Sequence, residues 1–392
     1  MNIPEKIFIF PLILKAKTRK ECSMFKRLSA ALTLCAILLI FVTLPTNTDR
    51  PGKSKEEPMY PVGAGFSDDA ARSGKTDAPD GTDASGKTKS SENVGKDYIR
   101  WIEFTPTAEI LGAALDADIS THETEHPVGW ITLLALVAAG SGGNFSKVSV
   151  SDIRRLAEEL SAGKAPEELT KNQRLYRYYL EAYGAILGGM VGEYAVTTQK
   201  GGTPTGDTRY GLRVFSPIAK GYSYNDYDDF GASRSYGYKR RHLGHDIMGN
   251  VGTPIIATES GYVEHLGWNQ YGGWRVGIRS FDGKRYYYYA HLRRGHPYCD
   301  LYEGKYVNAG EVIGYLGMTG YSAKEDVNNI DVPHLHFGLE IIFDKSQTDG
   351  WNQIWIDLYE MTGFLSRNRA QVHKDAGDSF SDTVYLYPET PD

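Results

Sequence analysis

Residues 333–340 read PHLHFGLE, and the reading of this stretch decides how the second half of the chain folds. Polar and apolar side chains alternate from His334 to Phe337, the period of a β-strand with one buried face. Residues two apart on a strand point to the same side of the sheet, so the imidazoles of His334 and His336 reach one common space. Upstream, the same Gly-punctuated, Val/Ile/Tyr-rich texture holds RHLGHD (Arg241 to Asp246) and YYAHL (Tyr288 to Leu292). His242 and Asp246 are four apart in a stretch too rich in Gly for a stable helix. An even spacing along a strand again gives one face, with His245 turned away. Seven of the ten histidines fall between His242 and His336, and histidines gathered on a sheet suggest a metal.

Two His nitrogens and one carboxylate oxygen, with a fourth position for water, are the donor set of a catalytic rather than a structural zinc site. Bound zinc brings the pKa of its water to about 7 and polarises a carbonyl, so this set suggests amide hydrolysis at neutral pH. A proton acceptor and a group that steadies the oxyanion complete such a site, and a neutral histidine can take the proton.

These residues resemble the lysostaphin-like, or LytM-type, zinc endopeptidases, whose pattern is H-x-x-x-D early and H-x-H late. DFGASR (Asp229 to Arg234) is similar to the family's opening F-G-x-R with one extra residue, and GTPIIATESGYV (Gly252 to Val263) to its strand-turn-strand. YYYYAHL resembles its Y-x-H-L, VNAGEVIGYLGMTGYS (Val307 to Ser322) its Gly-rich turn, and PHLHF its closing strand, all in order between Tyr222 and Phe343. The resemblance implies that His242, Asp246 and His336 bind Zn2+, with His291 and His334 beside the water as base and transition-state stabilisers. Tyr289, two before His291, is expected on the same face as an assistant. The implied function is a zinc-dependent endopeptidase cutting bacterial peptidoglycan, at the glycine cross-bridge or at a stem-peptide bond. The alternative is an inactive domain serving as envelope scaffold or activator; members of that kind usually lack a ligand, whereas all five positions are present here. The chain departs from the pattern at KEDVNNIDVP (Lys324 to Pro333), an insertion expected to lengthen a groove wall. His265, His296 and His373 match nothing in the pattern and are expected to be surface or packing residues.

The 27 Tyr and 43 Gly favour aromatic strands joined by tight turns. A net charge of -6 without a basic stripe excludes nucleic acid as a partner. Of Cys22, Cys35 and Cys299 only the last falls in the folded part, so no disulfide framework is expected. Six basic residues between Lys15 and Arg27 precede the apolar run Leu28 to Leu44, which predicts a cytoplasmic N-terminus and everything downstream outside the cell membrane. The run is short for a spanning helix and long for a signal-peptide core, and its length favours an uncleaved single-pass anchor over a cleaved, secreting signal. Helices are predicted at Ala108 to Ala117, Gly129 to Ala139, Val150 to Leu160 and Arg174 to Glu193, the second as a buried central helix. His122 to His126 matches H-E-x-x-H, yet it lies in a polar run closed by Pro127 and is read as a loop.

The prediction is therefore a multi-domain α+β chain. It comprises a basic cytoplasmic N-terminus (1–27), a transmembrane anchor or signal segment (28–45), a flexible linker (46–96) and a small all-α domain (97–198). An antiparallel β-sheet peptidase domain of lysostaphin type (205–365, core 222–343) and a tail (366–392) follow. The expected partners are peptidoglycan, the membrane through the anchor, and a protein partner or the wall through the helical domain. DTVYLYPET in the tail is expected either to add an edge strand or to stay unstructured.

Overall fold

The run RYYYYA carries large rings on both of its faces, and a strand of that kind is stable only deep in a sheet that is covered on both sides. In the computed structural model, which describes residues 98–197, 208–348, 352–375, 380–382 and 384–386, every residue of this strand is buried. It is the fifth in chain order of an eight-stranded antiparallel sheet: β1 Tyr224–Asp226, β2 His245–Gly249, β3 Gly261–Asn269, β4 Gly273–Ser280, β5 Arg285–Ala290, β6 Tyr306–Val307, β7 His334–Ile341 and β8 Ile354–Trp355. The spatial order is β6-β3-β4-β5-β7-β2-β1, with β8 also pairing along β7. The register sets Ala290 opposite His336 on one side of β7 and Asp246 opposite His336 on the other.

Among the described residues four α-helices precede the sheet: α1 Ala108–Thr121, α2 Trp130–Ser141, α3 Val150–Ser161 and α4 Gln173–Leu187; α5 Tyr359–Leu365 follows it. Thr107 caps α1 by accepting the Ile110 N–H, and Ser149 and Asp152 form a capping box on α3. The apolar helix α2 is buried along most of its length, as its composition predicts. The fourth helix is shorter than its periodicity suggested. Gly188 and Gly189, the latter at φ 74°, end it, and Val191–Thr197 is a strand instead. That strand pairs with Arg209–Leu212 on one side and with Val384–Leu386 of the tail on the other. His122–His126 is not helical but turns away from the end of α1. Among the described residues no helix is long and apolar enough to cross a membrane, and the expected anchor and linker lie outside those residues.

Helices and sheet share one hydrophobic core, in which Leu133 of α2, Ile186 of α4, Ile278 of β4, Phe337 of β7 and Phe364 of α5 all take part. Polar ties join the two parts as well. Glu360 of α5 accepts the Ala108 N–H at the start of α1 at 2.8 Å. Arg285, 1% exposed, holds Glu259 through Nε at 2.7 Å and Nη2 at 2.9 Å, while its Nη1 donates to the Ala185 carbonyl of α4 at 2.8 Å. The Tyr287 hydroxyl donates to the same Glu259 carboxylate at 2.7 Å. Removing one member of such a pair strands the other charge in the interior, so Arg285→Leu is expected to cost about 3–5 kcal/mol in a urea titration. A loss below about 1 kcal/mol would make the pair no more than a surface ion pair.

Candidate metal centre

Asp246 and His336 face each other across β2 and β7, and their side chains emerge on one face. His242 reaches them by a different route from the strand alternation expected for it. β2 begins only at His245, and a bend at Leu243-Gly244 folds His242 back over Asp246. Gly244 makes the bend compatible with the ring behind it, because a Cβ there would stand 2.6 Å from the His336 imidazole and 2.9 Å from the Phe337 carbonyl oxygen. His245 is on the opposite face, buried, with its Nε2 3.1 Å from Asp226 and its ring against Tyr359.

Three donor atoms converge: His242 Nε2 lies 2.8 Å from His336 Nδ1 and 3.0 Å from Asp246 Oδ1, and His336 Nδ1 lies 3.1 Å from Asp246 Oδ1. A tetrahedral ion with N and O ligands at about 2.0–2.1 Å needs donor separations of about 3.3 Å, so a small divalent cation fits this triangle after a slight expansion. The atoms behind the donors are committed. His242 Nδ1 donates toward the Asp229 carbonyl oxygen at 3.1 Å and lies 3.2 Å from its carboxylate. Arg234 bridges Asp229 and Asp246 at 2.9 Å each, gripping the Asp246 oxygen that faces away from the histidines. This outer layer fixes which nitrogen and which oxygen each ligand presents. Asp229 and Arg234 belong to DFGASR, to which the sequence alone assigned no role; their signal was a carboxylate and a guanidinium just upstream of a ligand pair.

Burial works against the Asp246 carboxylate, but hydrogen bonds from His242 and His336 outweigh it and hold it ionised well below the usual range. Burial also pulls His242 down, yet its bonds to Asp229 and Asp246 win and raise it to about 9. Burial, with the charge on His242, lowers His336 to about 4.

His291 and His334 stand beside the triangle. The His334 Nε2 is 3.7 Å from Asp246 Oδ1, and the His291 ring lies 4.8 Å from that of His334 and 6.0 Å from that of His336, centre to centre. His291 Nδ1 donates to the Thr319 carbonyl at 2.8 Å, and His334 Nδ1 to the Val332 carbonyl at 2.8 Å. Burial holds His291 well below the ordinary histidine range.

β5 ends at Ala290, and His291 takes a left-handed backbone (φ 61°), which breaks the strand alternation and swings its ring over the face that His336 occupies. Tyr289 is for that reason not in the site. It sits on the core face, its ring against Phe337 and its oxygen accepting the Thr258 N–H at 2.9 Å. Tyr288 takes the place expected for it, 5.7 Å from the His336 ring, with Trp355 beyond. The insertion Lys324–Pro333 is pinned by Asp326, which accepts from Trp274 Nε1 and the Gly295 N–H at 2.8 Å each, and its far end supplies the Val332 carbonyl. His265 packs on Tyr286, His296 stacks on Tyr315, and His373 is exposed on the strand Val372–Lys374, none of them in the cluster.

Residues 240–349 match the profile of Peptidase family M23. This segment is a peptidase family M23 domain. The L-Ala–D-Glu endopeptidase of Bacillus subtilis (strain 168) is 39% identical over 126 residues, covering 31% of this chain and 36% of that protein. The glycyl-glycine endopeptidase ALE-1 of Staphylococcus capitis is 36% identical over 119 residues, or 30% of this chain and 28% of that one. Among solved structures, the catalytic domain of lysostaphin from Staphylococcus simulans is 31% identical, with 36% of this chain and 92% of that one covered and a TM-score of 0.27. The chain therefore matches only about a third of the length of these full-length relatives. The M23 domain contains all five residues discussed here, while Asp229 and Arg234 lie just before it.

Two measurements test the centre. Gly244→Ala pushes a methyl group into the His336 ring, and divalent-cation affinity is expected to fall roughly 10- to 100-fold in a chelator competition, with the circular dichroism spectrum retained. Because His242, raised to about 9, is protonated at neutral pH and an imidazole must be neutral to ligate, cation binding at pH 7 should release about one proton from it. Affinity should then rise with pH and level off near that value. Calorimetry in two buffers of different ionisation enthalpy reads the proton directly, and identical heats would refute it.

Proposed function

We propose that this chain is a zinc-dependent endopeptidase that hydrolyses peptide bonds of bacterial peptidoglycan on the outer side of the cell membrane. His242, Asp246 and His336 would hold the ion through Nε2, Oδ1 and Nδ1, with Arg234 and Asp229 fixing their orientation. Zinc bound there supplies an acidified water and a Lewis acid for the scissile carbonyl.

The observation that carries the reading is the commitment of the two accessory histidines. Each donates its Nδ1 proton to a backbone carbonyl, so in the neutral ring of each Nε2 is the acceptor. His334 Nε2, beside Asp246, is the acceptor for the proton released on attack and returns it to the departing amine. His291, more deeply buried and held by that burial well below the ordinary histidine range, accepts a hydrogen bond that aims the nucleophile. Tyr321, 5.8 Å from the His291 ring, and Tyr288 on the other side flank the bond to be cut. The names of the relatives, an L-Ala–D-Glu endopeptidase and a glycyl-glycine endopeptidase, support peptidoglycan peptides as the substrate class. The basic flank and apolar run at Lys15 to Leu44 serve as the anchor that places the enzyme there, and the helices α1–α4 support the M23 domain from behind.

Metal analysis of the purified protein together with muropeptide release from isolated peptidoglycan tests this reading. Zinc near one per chain and release that falls roughly 100- to 10,000-fold in His334→Ala are expected. Stoichiometric zinc without release from several wall types would instead make the chain a scaffold, and absence of zinc would remove the mechanism.

A further inference from the structure

Arg240, at the start of the M23 domain, sits in an unusual setting. Its guanidinium lies against three tyrosine rings, 5.1 Å from the centre of Tyr271, 5.6 Å from Tyr321 and 5.9 Å from Tyr238, and its Nη1 donates to the Tyr236 carbonyl at 2.7 Å. The Tyr236 ring stacks on Tyr321 at 4.7 Å, and Tyr321 in turn meets His291. The cation is thus a single ring away from the histidines that act on the substrate. It is only partly buried, so a ligand can reach it.

Arg234, Arg279 and Arg285 each hold a carboxylate of this chain. Arg240 differs: among the described residues no carboxylate lies within ion-pair distance of it, and its Nε and Nη2 make no hydrogen bond. Tyrosine faces hold a guanidinium in place and strip part of its water, but they do not neutralise it. A planar fork oriented in this way and short of an anion is matched by a carboxylate, which accepts two parallel N–H bonds.

We propose that Arg240 binds a free carboxylate on the substrate peptide, and that the protein thereby selects acidic stem peptides over glycine chains and over stems whose carboxylates are amidated. This rests on the hydrolase reading above. A peptide lying along Tyr321 with its scissile bond at His334 would bring a neighbouring residue's carboxylate to the fork. Glycine chains offer no such group.

The test compares a synthetic stem peptide with free carboxylates, the same peptide amidated, and pentaglycine. Binding is read by calorimetry on zinc-loaded His334→Ala protein, where hydrolysis is not needed, and kcat/KM on the unmodified enzyme. The acidic peptide is expected to be preferred roughly 10- to 100-fold, the worth of hydrogen bonds to a charged group, mainly through KM. In Arg240→Gln that preference should fall to about one; Arg240→Lys, which keeps the charge but loses the fork, should retain only part of it. Equal binding of the acidic and amidated peptides by the His334→Ala protein overturns the proposal without any Arg240 variant. So does an Arg240→Gln protein that keeps the full preference. A preference in binding with no cleavage of any peptide by the unmodified enzyme would sustain the carboxylate site and overturn the hydrolase reading instead.

Discussion

The antiparallel pairing of β7 with β2 puts Leu335 opposite Ile247 and His336 opposite Asp246, and the candidate metal centre depends on that register. The period of a strand is two, so a slip of one residue would turn His334 and His336 into the core and push Leu335 and Phe337 out. The fully buried Leu335 and Phe337 oppose the slip, because exposing them forfeits the core that β5 and the helices close over them. The same apolar residues that stabilise the sheet therefore hold the two imidazoles in place, and the ligands need contribute nothing to folding.

Much of this was legible beforehand. Alternation in PHLHF announces a strand, and the strand sets two histidines on one face without any tertiary information. The spacing of His242 and Asp246 suggested that the two side chains converge, and they do, but not by strand alternation. A bend closes them, and bends depend on contacts such as that between Gly244 and the His336 ring, which come from another part of the chain. Tyr289 failed for a related reason. Periodicity carries across a strand only while the backbone stays extended, and His291 leaves that region. The end of α4 at Leu187 was hidden because Tyr, Ala and Leu continue a helical texture up to the glycines, and only the pairing of Val191–Thr197 with two distant segments decides for a strand.

The support around the ligands was the least visible part. Arg234 and Asp229 act on atoms turned away from the centre, and their worth lies in keeping Asp246 Oδ1 and His242 Nε2 pointed inward. The insertion ending at Pro333 has a comparable effect on His334. By presenting the Val332 carbonyl it selects one tautomer of the ring, so a segment outside the family pattern decides which nitrogen a residue inside it leaves as acceptor.

The core shared by the helices and the sheet sets a unit of cooperativity larger than the unit of similarity. The stretch that matches the M23 profile is 240–349, yet Arg285 within it is anchored on Ala185, and α1 is capped by Glu360 beyond it. Recombination that exchanged only the matched stretch would sever these ties and bare the apolar face that the helices cover. The boundaries along which such a chain can be shuffled in evolution are those of its energetics, and they enclose the flanking helices together with the peptidase sheet.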